Sequence, residues 1–251
     1  MNLGSELRWF GVLPRFDPGE GITVASPEGS GKGYWAGAPS SLYDPVSNKF
    51  YLSYRLRSPK ERGYRCIIGE SEDGVHFREI WSVRKELLNA NSIEGTSLLK
   101  DSDGNWLFYI SYEDSNDKRW KVDLLKAESP GNFKVERRKR VLEPEDYTVA
   151  SIKDPFACIV GNKLHLFVCF SPKSPKWDER TALLISDDGE NFQWVKEVLS
   201  PGKGWDANCA RITSIAYLPP IFLAFWDGRE FPEQSTEEKA SLAYSFDLLN
   251  F

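Results

Sequence analysis

Hydrophobic and polar positions alternate along most of the chain in short runs, which Asp, Asn, Gly and Pro residues interrupt. Runs such as FYLSYRL and WLFYISYE are rich in the aromatic and aliphatic residues that are typical of strands. Turn sequences such as KDSDGN and VGNK separate consecutive runs, as they do in antiparallel hairpins. The pattern therefore predicts an all-β chain of short antiparallel strands.

One turn sequence recurs at regular intervals. SEDGVHF begins at Ser71, and a near copy, SDDGENF, begins at Ser186. Shorter relatives begin at Ser129 and Ser245, so consecutive serines are 58, 57 and 59 residues apart. A regular period in a strand-rich chain indicates repeated supersecondary units.

Each repeat predicts the same succession of strands. A segment of small and apolar residues comes first, an aromatic strand second, and a third strand ends at the recurring turn. Four antiparallel strands repeated around an axis form the blades of a β-propeller. We expect first strands at 37–43, 94–100, 154–160 and 206–218, second strands at 50–56, 106–113, 164–170 and 221–227, third strands at 65–71, 121–129, 181–187 and 240–246, and fourth strands at 77–83 and 192–199.

The repeats also set an expected number of blades. Four repeats are visible, and the last one ends where its fourth strand would begin. A further strand expected at 7–13 supplies part of a fifth blade. We therefore expect a single domain over residues 1–251, a five-bladed β-propeller whose last blade is incomplete. A chain cut short of its natural end and a compact four-bladed ring are the alternatives.

Composition narrows the classes of protein. The net charge of −5 argues against a broad nucleic-acid-binding surface. No basic segment followed by an apolar core marks a signal peptide, and no apolar run is long enough for a membrane helix. The four cysteines are far apart in sequence and form no CxxC pair, which favours free thiols in a reducing compartment. The expectation is a cytoplasmic protein with no nucleic-acid or membrane partner; the cysteines are Cys66, Cys158, Cys169 and Cys209.

Acidic residues recur where the first strands begin. Counting back from the recurring serines gives Ala38, Glu94, Asp154 and Asp206 as matched positions. First strands line the central channel of a propeller, so carboxylates there converge on one pocket. Like charges held close raise the pKa of one group, so one carboxyl group stays protonated as an acid while another stays ionised. Glycoside hydrolysis needs both forms. Asp17 is a further acid if the N-terminal segment reaches the channel; a turn is the alternative.

The motifs together resemble a known group of proteins. Glu94-Gly95, Asp154-Pro155, the SxDGxxF turns and GAPSSLYDP are similar to motifs of the five-bladed β-propeller glycosidases, over residues 35–251. This group contains arabinanases, β-xylosidases, invertases and mannoside phosphorylases. The resemblance implies that Glu94 is a general acid, Asp154 a residue that tunes its pKa, and Asp206 a base or nucleophile. The arabinanase-like pattern has an Asp in the first blade where this chain has Gly37-Ala38, so the assignment of roles stays open.

Other residues are candidates for substrate binding. Two tryptophans precede first strands, and flat aromatic rings stack on sugar faces; packing in the core is the alternative. Charged residues also end second strands, where they would rim the channel mouth, and arginines suit a sugar carboxylate or a phosphate. Exposed loop charges are the alternative for these. The candidates are Trp35, Trp205, Glu113, Asp227 and Arg229, with Arg55 and Arg57 in the equivalent strand of the first blade. Arg211 is a further candidate four residues past Asp206 on a first strand, where regular alternation places it on the other face and only a bulge would redirect it.

The predicted function is a glycoside hydrolase acting on an oligosaccharide or glycoside. His76 and His165 fall outside the predicted inner strands, so no His-ligated metal and no cofactor are expected, while an oxygen-ligated structural Ca²⁺ stays open. One alternative is a non-catalytic carbohydrate-binding propeller, which the missing first-blade acid favours. Another is a glycoside phosphorylase, which requires basic residues beside the acids. No oligomeric state is predicted.

Overall fold

Four antiparallel sheets follow one another along residues 18–251, the part of the chain that the computed structural model describes. The first contains β1 (Trp35–Asp44), β2 (Lys49–Arg57), β3 (Arg65–Ser71) and β4 (Arg78–Arg84). The second contains β5 (Ala90–Lys100), β6 (Trp106–Asp114), β7 (Trp120–Ala127) and β8 (Lys139–Leu142). The third contains β9 (Ser151–Val160), β10 (Lys163–Ser171), β11 (Arg180–Ser186) and β12 (Gln193–Leu199). The fourth contains β13 (Cys209–Leu218), β14 (Ile221–Arg229) and β15 (Lys239–Ser245).

Short 3₁₀ helices occupy some of the connections. Each is a single turn, and none contributes an extended apolar face. They span Pro18–Glu20, Lys85–Leu88, Val135–Arg137, Pro144–Tyr147 and Pro232–Gln234.

The four sheets are the blades of a β-propeller. Strand order within each sheet follows chain order, and the first strands lie side by side, with β1 against β5, β5 against β9 and β9 against β13. The expectation of five blades is wrong for residues 18–251, because the four repeats form four sheets and leave no described strand for a fifth. The strand expected at 7–13 and Asp17 lie outside the described residues. The last sheet has three strands, as expected of an incomplete blade.

The recurring turn is a structural unit of the first and third blades. In the first blade the Ser71 hydroxyl accepts the backbone N–H groups of Asp73 and Gly74, at 3.2 and 3.0 Å. The Asp73 carboxylate accepts the backbone N–H of His76 at 2.8 Å and pairs with its ring. These hydrogen bonds from His76 lower the pKa of Asp73. Ser186 and Asp188 repeat the same arrangement in the third blade, so the repeated acids belong to the scaffold.

Apolar side chains fill the spaces between adjacent blades. Ile68, Phe108 and Phe133 pack between the first and second blades, and Phe167, Leu183 and Ala224 pack between the third and fourth. Burial of such side chains from neighbouring sheets is the main force that holds the blades together.

All four cysteines are free thiols, as the sequence indicated. Cys66, Cys169 and Cys209 are buried, and Cys158 is half-buried. Burial raises the pKa of Cys66 and of Cys158 to about 12, so these thiols stay protonated near neutral pH. Within residues 18–251 no helix is long and apolar enough to cross a membrane.

Candidate active site

A cavity of about 830 Å³ is lined by residues of all four blades. Its wall is strongly charged with both signs. The carboxylates are Glu94, Asp154, Glu179, Asp227 and Glu238, and the cationic side chains are Arg55, Arg57, Arg62, Lys153, Arg211 and Arg229.

β-Bulges aim side chains from the inner strands at this cavity. The pairing of β1 with β2 is interrupted between Gly37 and Ser40, and that of β5 with β6 between Ile93 and Thr96. The pairing of β9 with β10 is interrupted at Asp154 in the same way. An extra residue bends a strand and redirects a side chain. The structure therefore supports the sequence alignment of Ala38, Glu94 and Asp154 as matched positions.

The fourth blade departs from that alignment. Asp206 was expected to begin the fourth inner strand, but β13 begins at Cys209. Asp206 lies in the preceding loop, where its carboxylate accepts the backbone N–H of Gly202 at 3.1 Å, and it is not among the residues that line the cavity. The interruption in β13 lies between Ile212 and Ser214, which makes Thr213 the matched position.

The spacing of the repeats also favours Thr213 over Asp206 as the matched position. Thr213 precedes Ser245 by 32 residues, the same separation as that of Asp154 from Ser186. Asp206 precedes Ser245 by 39 residues, which is out of step with the other blades. Asp206 therefore belongs to the loop before β13 and not to the inner strand.

Asp154 is fixed between two blades. Its backbone has a φ of +50°, in the left-handed region that few residues with a side chain adopt. Asp154 Oδ1 accepts the backbone N–H of Gly95 from the second blade at 2.8 Å, and Oδ2 lies 3.7 Å from Lys153 Nζ and 4.0 Å from Arg211 Nη1. One oxygen therefore anchors the carboxylate while the other faces the cations of the cavity.

Glu94 is held in ion pairs. Its Oε2 lies 2.7 Å from Arg55 Nη2, and its Oε1 accepts a hydrogen bond from Arg62 Nη2 at 3.0 Å. The Ser92 hydroxyl donates to the same Oε1 at 3.3 Å. Both oxygens of Glu94 are thus engaged by neighbouring side chains, whereas one oxygen of Asp154 is not so engaged.

Glu179 is the most deeply buried carboxylate of the cavity, with 5% of its side chain exposed. It precedes β11 and lies 2.9 Å from Lys153, 2.8 Å from Arg229 and 3.5 Å from Arg211. Burial acts to raise the pKa of Glu179, but Lys153, Arg211 and Arg229 outweigh burial and hold it well below its ordinary value. Glu179 is therefore an ionised centre around which the three cations are arranged.

Arg211 connects the third and fourth blades. Its Nε donates to Asp227 Oδ1 at 2.7 Å, and its Nη2 donates to Glu238 at 3.3 Å. Burial raises the pKa of Asp227; Arg211 opposes this effect, whereas Asp154 and Glu238 add to it. The result is a raised pKa at Asp227 and a lowered pKa at Glu179, although both carboxylates lie against the same guanidinium.

The remaining predicted residues divide into two groups. Trp35 lines the cavity and stacks under Arg57, whose guanidinium carbon lies 4.8 Å from the ring centroid. Trp205 is not a lining residue; it stacks on Trp226, which is one, with 4.9 Å between ring centroids. Glu113 is the penultimate residue of β6 and lies outside the cavity lining. Arg211, Asp227 and Arg229 all line the cavity.

Four charged residues of the site were not anticipated from the sequence. Lys153 directly precedes a predicted acid, but alternation along a regular strand would have placed it on the opposite face. The bulge at Asp154 removes that alternation. Arg62, Glu179 and Glu238 come from connections between strands, which carry no periodic signal that could have identified them.

No group of three or more metal-binding side chains in residues 18–251 has the geometry to hold a metal ion. The cavity's carboxylates are instead paired with arginine and lysine side chains.

Comparison with known proteins identifies the fold. Neither a protein-family model nor a curated protein sequence matches the chain. Among solved structures, a thermostable family-43 glycoside hydrolase has a TM-score of 0.63 at 14% identity, over 90% of this chain and 73% of that one. A second structure has a TM-score of 0.63 at 13% identity, over 92% of this chain and 78% of that one. It is described under the finding that the family-130 mannoside phosphorylases contain glycoside hydrolases that target β-1,2 mannosidic linkages.

A Bombyx mori family-32 β-fructofuranosidase in complex with sucrose has a TM-score of 0.60 at 15% identity. The match covers 87% of this chain and 48% of that one. At these identities the likeness concerns the fold, so the chain shares the β-propeller architecture of these three structures.

Proposed function

We propose that the chain is a glycoside-cleaving enzyme in which Asp154 and Asp227 perform the acid–base chemistry. One observation carries the proposal: these two carboxylates are the most exposed of the five in the cavity, at 26% and 27% of their side chains, and both face Arg211. The propeller glycosidases among the similar structures make this reaction class the natural one to test.

The two carboxyl groups suit different tasks. Burial and the nearby Asp154 and Glu238 raise the pKa of Asp227, which favours the protonated form that a general acid needs. Asp227 would donate its proton to the glycosidic oxygen as that bond breaks. Asp154, whose free oxygen faces Lys153 and Arg211, would act as the base for water or as the nucleophile. The cations would stabilise its negative charge.

Glu94 and Glu179 have supporting roles in this proposal. Glu179 holds Lys153 and Arg211 in place beside Asp154. Glu94 holds Arg55 and Arg62 at the other side of the cavity. The assignment moves the general acid from Glu94, as the resemblance implied, to Asp227, and it leaves Asp206 outside the reaction.

Substrates with different leaving groups test the assignment. An acid catalyst is needed for an alkyl or sugar leaving group, but hardly for a good leaving group such as dinitrophenolate. We expect Asp227→Asn to lower kcat on oligosaccharides by roughly 10²–10⁴-fold, with much smaller loss on the dinitrophenyl glycoside. Asp154→Asn should lower kcat on both substrates by a similar factor. Asp206→Asn is the matched control and should leave both rates near the wild-type values.

Two results would overturn the proposal. If Glu94→Gln produced the leaving-group signature and Asp227→Asn did not, Glu94 would be the general acid. If the wild-type chain bound sugars tightly and cleaved no member of a broad glycoside panel, the chain would be a carbohydrate-binding propeller.

A further inference from the structure

Three arginines crowd one side of the cavity, where the first and second blades meet. Arg55 and Arg57 lie two residues apart on β2, and Arg62 lies on the connection from β2 to β3. All three line the cavity, and Glu94 is the only carboxylate paired with any of them among residues 18–251. This side of the cavity therefore has an excess of positive charge.

Arg57 has no carboxylate partner among the described residues. Its guanidinium carbon lies over the face of Trp35, 4.8 Å from the ring centroid. Burial and the neighbouring Arg62 and Arg55 lower the pKa of Arg57, as expected of a cation among cations. Stacking uses the face of a guanidinium and leaves the N–H donors available in the plane of the guanidinium group, where they can bind a planar or tetrahedral oxyanion.

Arg55 supplies a second set of unused donors. Its Nη2 pairs with Glu94 at 2.7 Å, while its Nε and Nη1 are buried and have no hydrogen-bond partner. Arg55 is 9% exposed, and a guanidinium that is buried with unsatisfied donors is costly. Those two nitrogens have almost no exposed surface, so an anion in the cavity would be attracted by the charge of Arg55 rather than bound by these donors.

Arg62 is kept close to Glu94 by the backbone of its own loop. The carbonyl of the adjacent Gly63 accepts the N–H of Ile93 at 2.9 Å. Gly63 has a φ of +41°, and a Cβ there would lie 2.0 Å from the Ile93 carbonyl oxygen, so only glycine fits. The loop therefore fixes the backbone beside Arg62, whose side chain reaches Glu94 at 3.0 Å.

We infer that Arg55, Arg57 and Arg62 form a subsite for an oxyanion, a phosphate or a carboxylate, in the same cavity as Asp154 and Asp227. Bidentate recognition of such groups is what arginine does better than lysine. The subsite implies that the substrate carries an acidic group or that inorganic phosphate is the co-substrate. As a statement about the reaction, this inference rests on the proposed glycoside cleavage.

The two sources of the oxyanion predict different reactions. If the group is inorganic phosphate, phosphate oxygen attacks the anomeric carbon, the glycosidic bond breaks, and the leaving sugar oxygen takes a proton, which gives a sugar phosphate. If the group is a substrate carboxylate, water attacks instead and only glycosides of acidic sugars are cleaved.

Calorimetric titration of the full chain with inorganic phosphate, and separately with glucuronate, measures the subsite without requiring turnover. We expect at least one of the two to bind the wild-type chain. Arg57→Gln should weaken that binding by roughly 10–100-fold, the loss of a charged hydrogen-bonding partner. Arg78→Gln is the matched control: Arg78 pairs with Glu70 at an exposed site, with 76% of its side chain exposed, and the variant should bind like the wild type.

The outcomes separate the subsite from the proposed chemistry. Binding that Arg57→Gln weakens and Asp154→Asn retains supports the subsite, even if no glycoside is cleaved. Turnover that requires phosphate identifies phosphate as the oxyanion, and turnover restricted to uronides identifies a carboxylate. The inference is overturned if neither anion binds, or if Arg57→Gln binds as tightly as the wild type in a chain whose circular dichroism is unchanged.

Discussion

The backbone N–H of Gly95 donates to Asp154 Oδ1 at 2.8 Å across the interface between the second and third blades. A Cβ on Gly95 would lie 2.7 Å from that same oxygen. The position of the Asp154 carboxylate therefore depends on the absence of a side chain in the neighbouring blade. Residues from two blades jointly define one functional group, which makes the blade interface part of the site.

Replacement of Gly95 by alanine should displace the Asp154 carboxylate and lower kcat on glycosides by about 10²-fold, because small misplacements of reacting groups have costs of this size. The melting temperature should change less than activity. Gly131→Ala is the control, since a Cβ there comes no closer than 3.4 Å to its neighbours. Equal activity of the two variants would show that Asp154 does not need this anchor.

The pH dependence of kcat/KM should report Asp227. A general acid acts in its protonated form, so activity should fall as the pH rises through the raised pKa of Asp227. Arg211 lowers that pKa through its charge. Arg211→Met should therefore move the alkaline limb of the profile to higher pH. A limb that stays in place in a folded Arg211→Met variant would remove Asp227 from the reaction.

Loss of the Glu179 charge should destabilise the fold. Glu179→Gln leaves Lys153, Arg211 and Arg229 without their common anion, and breaking a buried ion pair costs about 3–5 kcal/mol. Urea unfolding measures this change. Glu79→Gln is the control, because the Arg65–Glu79 pair is more exposed and such pairs contribute at most about 1 kcal/mol.

Glu179 should also contribute to acid sensitivity. Its pKa in the folded chain is lowered from an ordinary value of 4.5, so its stabilising contribution is fully present above that value. The contribution decreases as the pH falls below 4.5, where the unfolded chain takes up the proton first. Unfolding free energies of the wild type should therefore decrease more steeply below pH 4.5 than those of Glu179→Gln.

The recurring turns should matter for stability alone. Asp188→Ala removes the acceptor of the backbone N–H groups of Glu190 and Asn191, and the melting temperature should fall by a few degrees. Kinetic constants on glycosides should stay at wild-type values. A matching loss of kcat in the folded variant would contradict the assignment of these acids to the scaffold.

Much of the fold could be predicted because the sequence signals for its strands and turns are local and recur in each repeat. Third strands were expected at 65–71 and 181–187, and β3 and β11 span Arg65–Ser71 and Arg180–Ser186. Alternation of side chains and turn chemistry define such strands within a few residues. There are two exceptions: β13 begins at Cys209 because the residues before it form a loop, and β8 (Lys139–Leu142) was not predicted.

The candidate site was harder to predict, since its geometry depends on irregular backbone. Glu94 and Asp154 were found because bulges recur at the same place in each blade. Glu179 and Glu238 lie in connections of unequal length, so no period points to them. The tuning of Asp227 arises from burial and from Arg211 on the adjacent strand, and only the folded chain brings these together.

Ala38 has a φ of +51°, almost the same backbone geometry as Asp154 two blades away. Each precedes a proline, and each lies at the bulge of its inner strand. Aspartate tolerates this left-handed conformation better than alanine does. A single Ala38→Asp exchange would therefore add a carboxylate opposite Asp154 with little change in the surrounding structure. The backbone of the first blade thus already has the geometry that presents a carboxylate at Asp154 in the third.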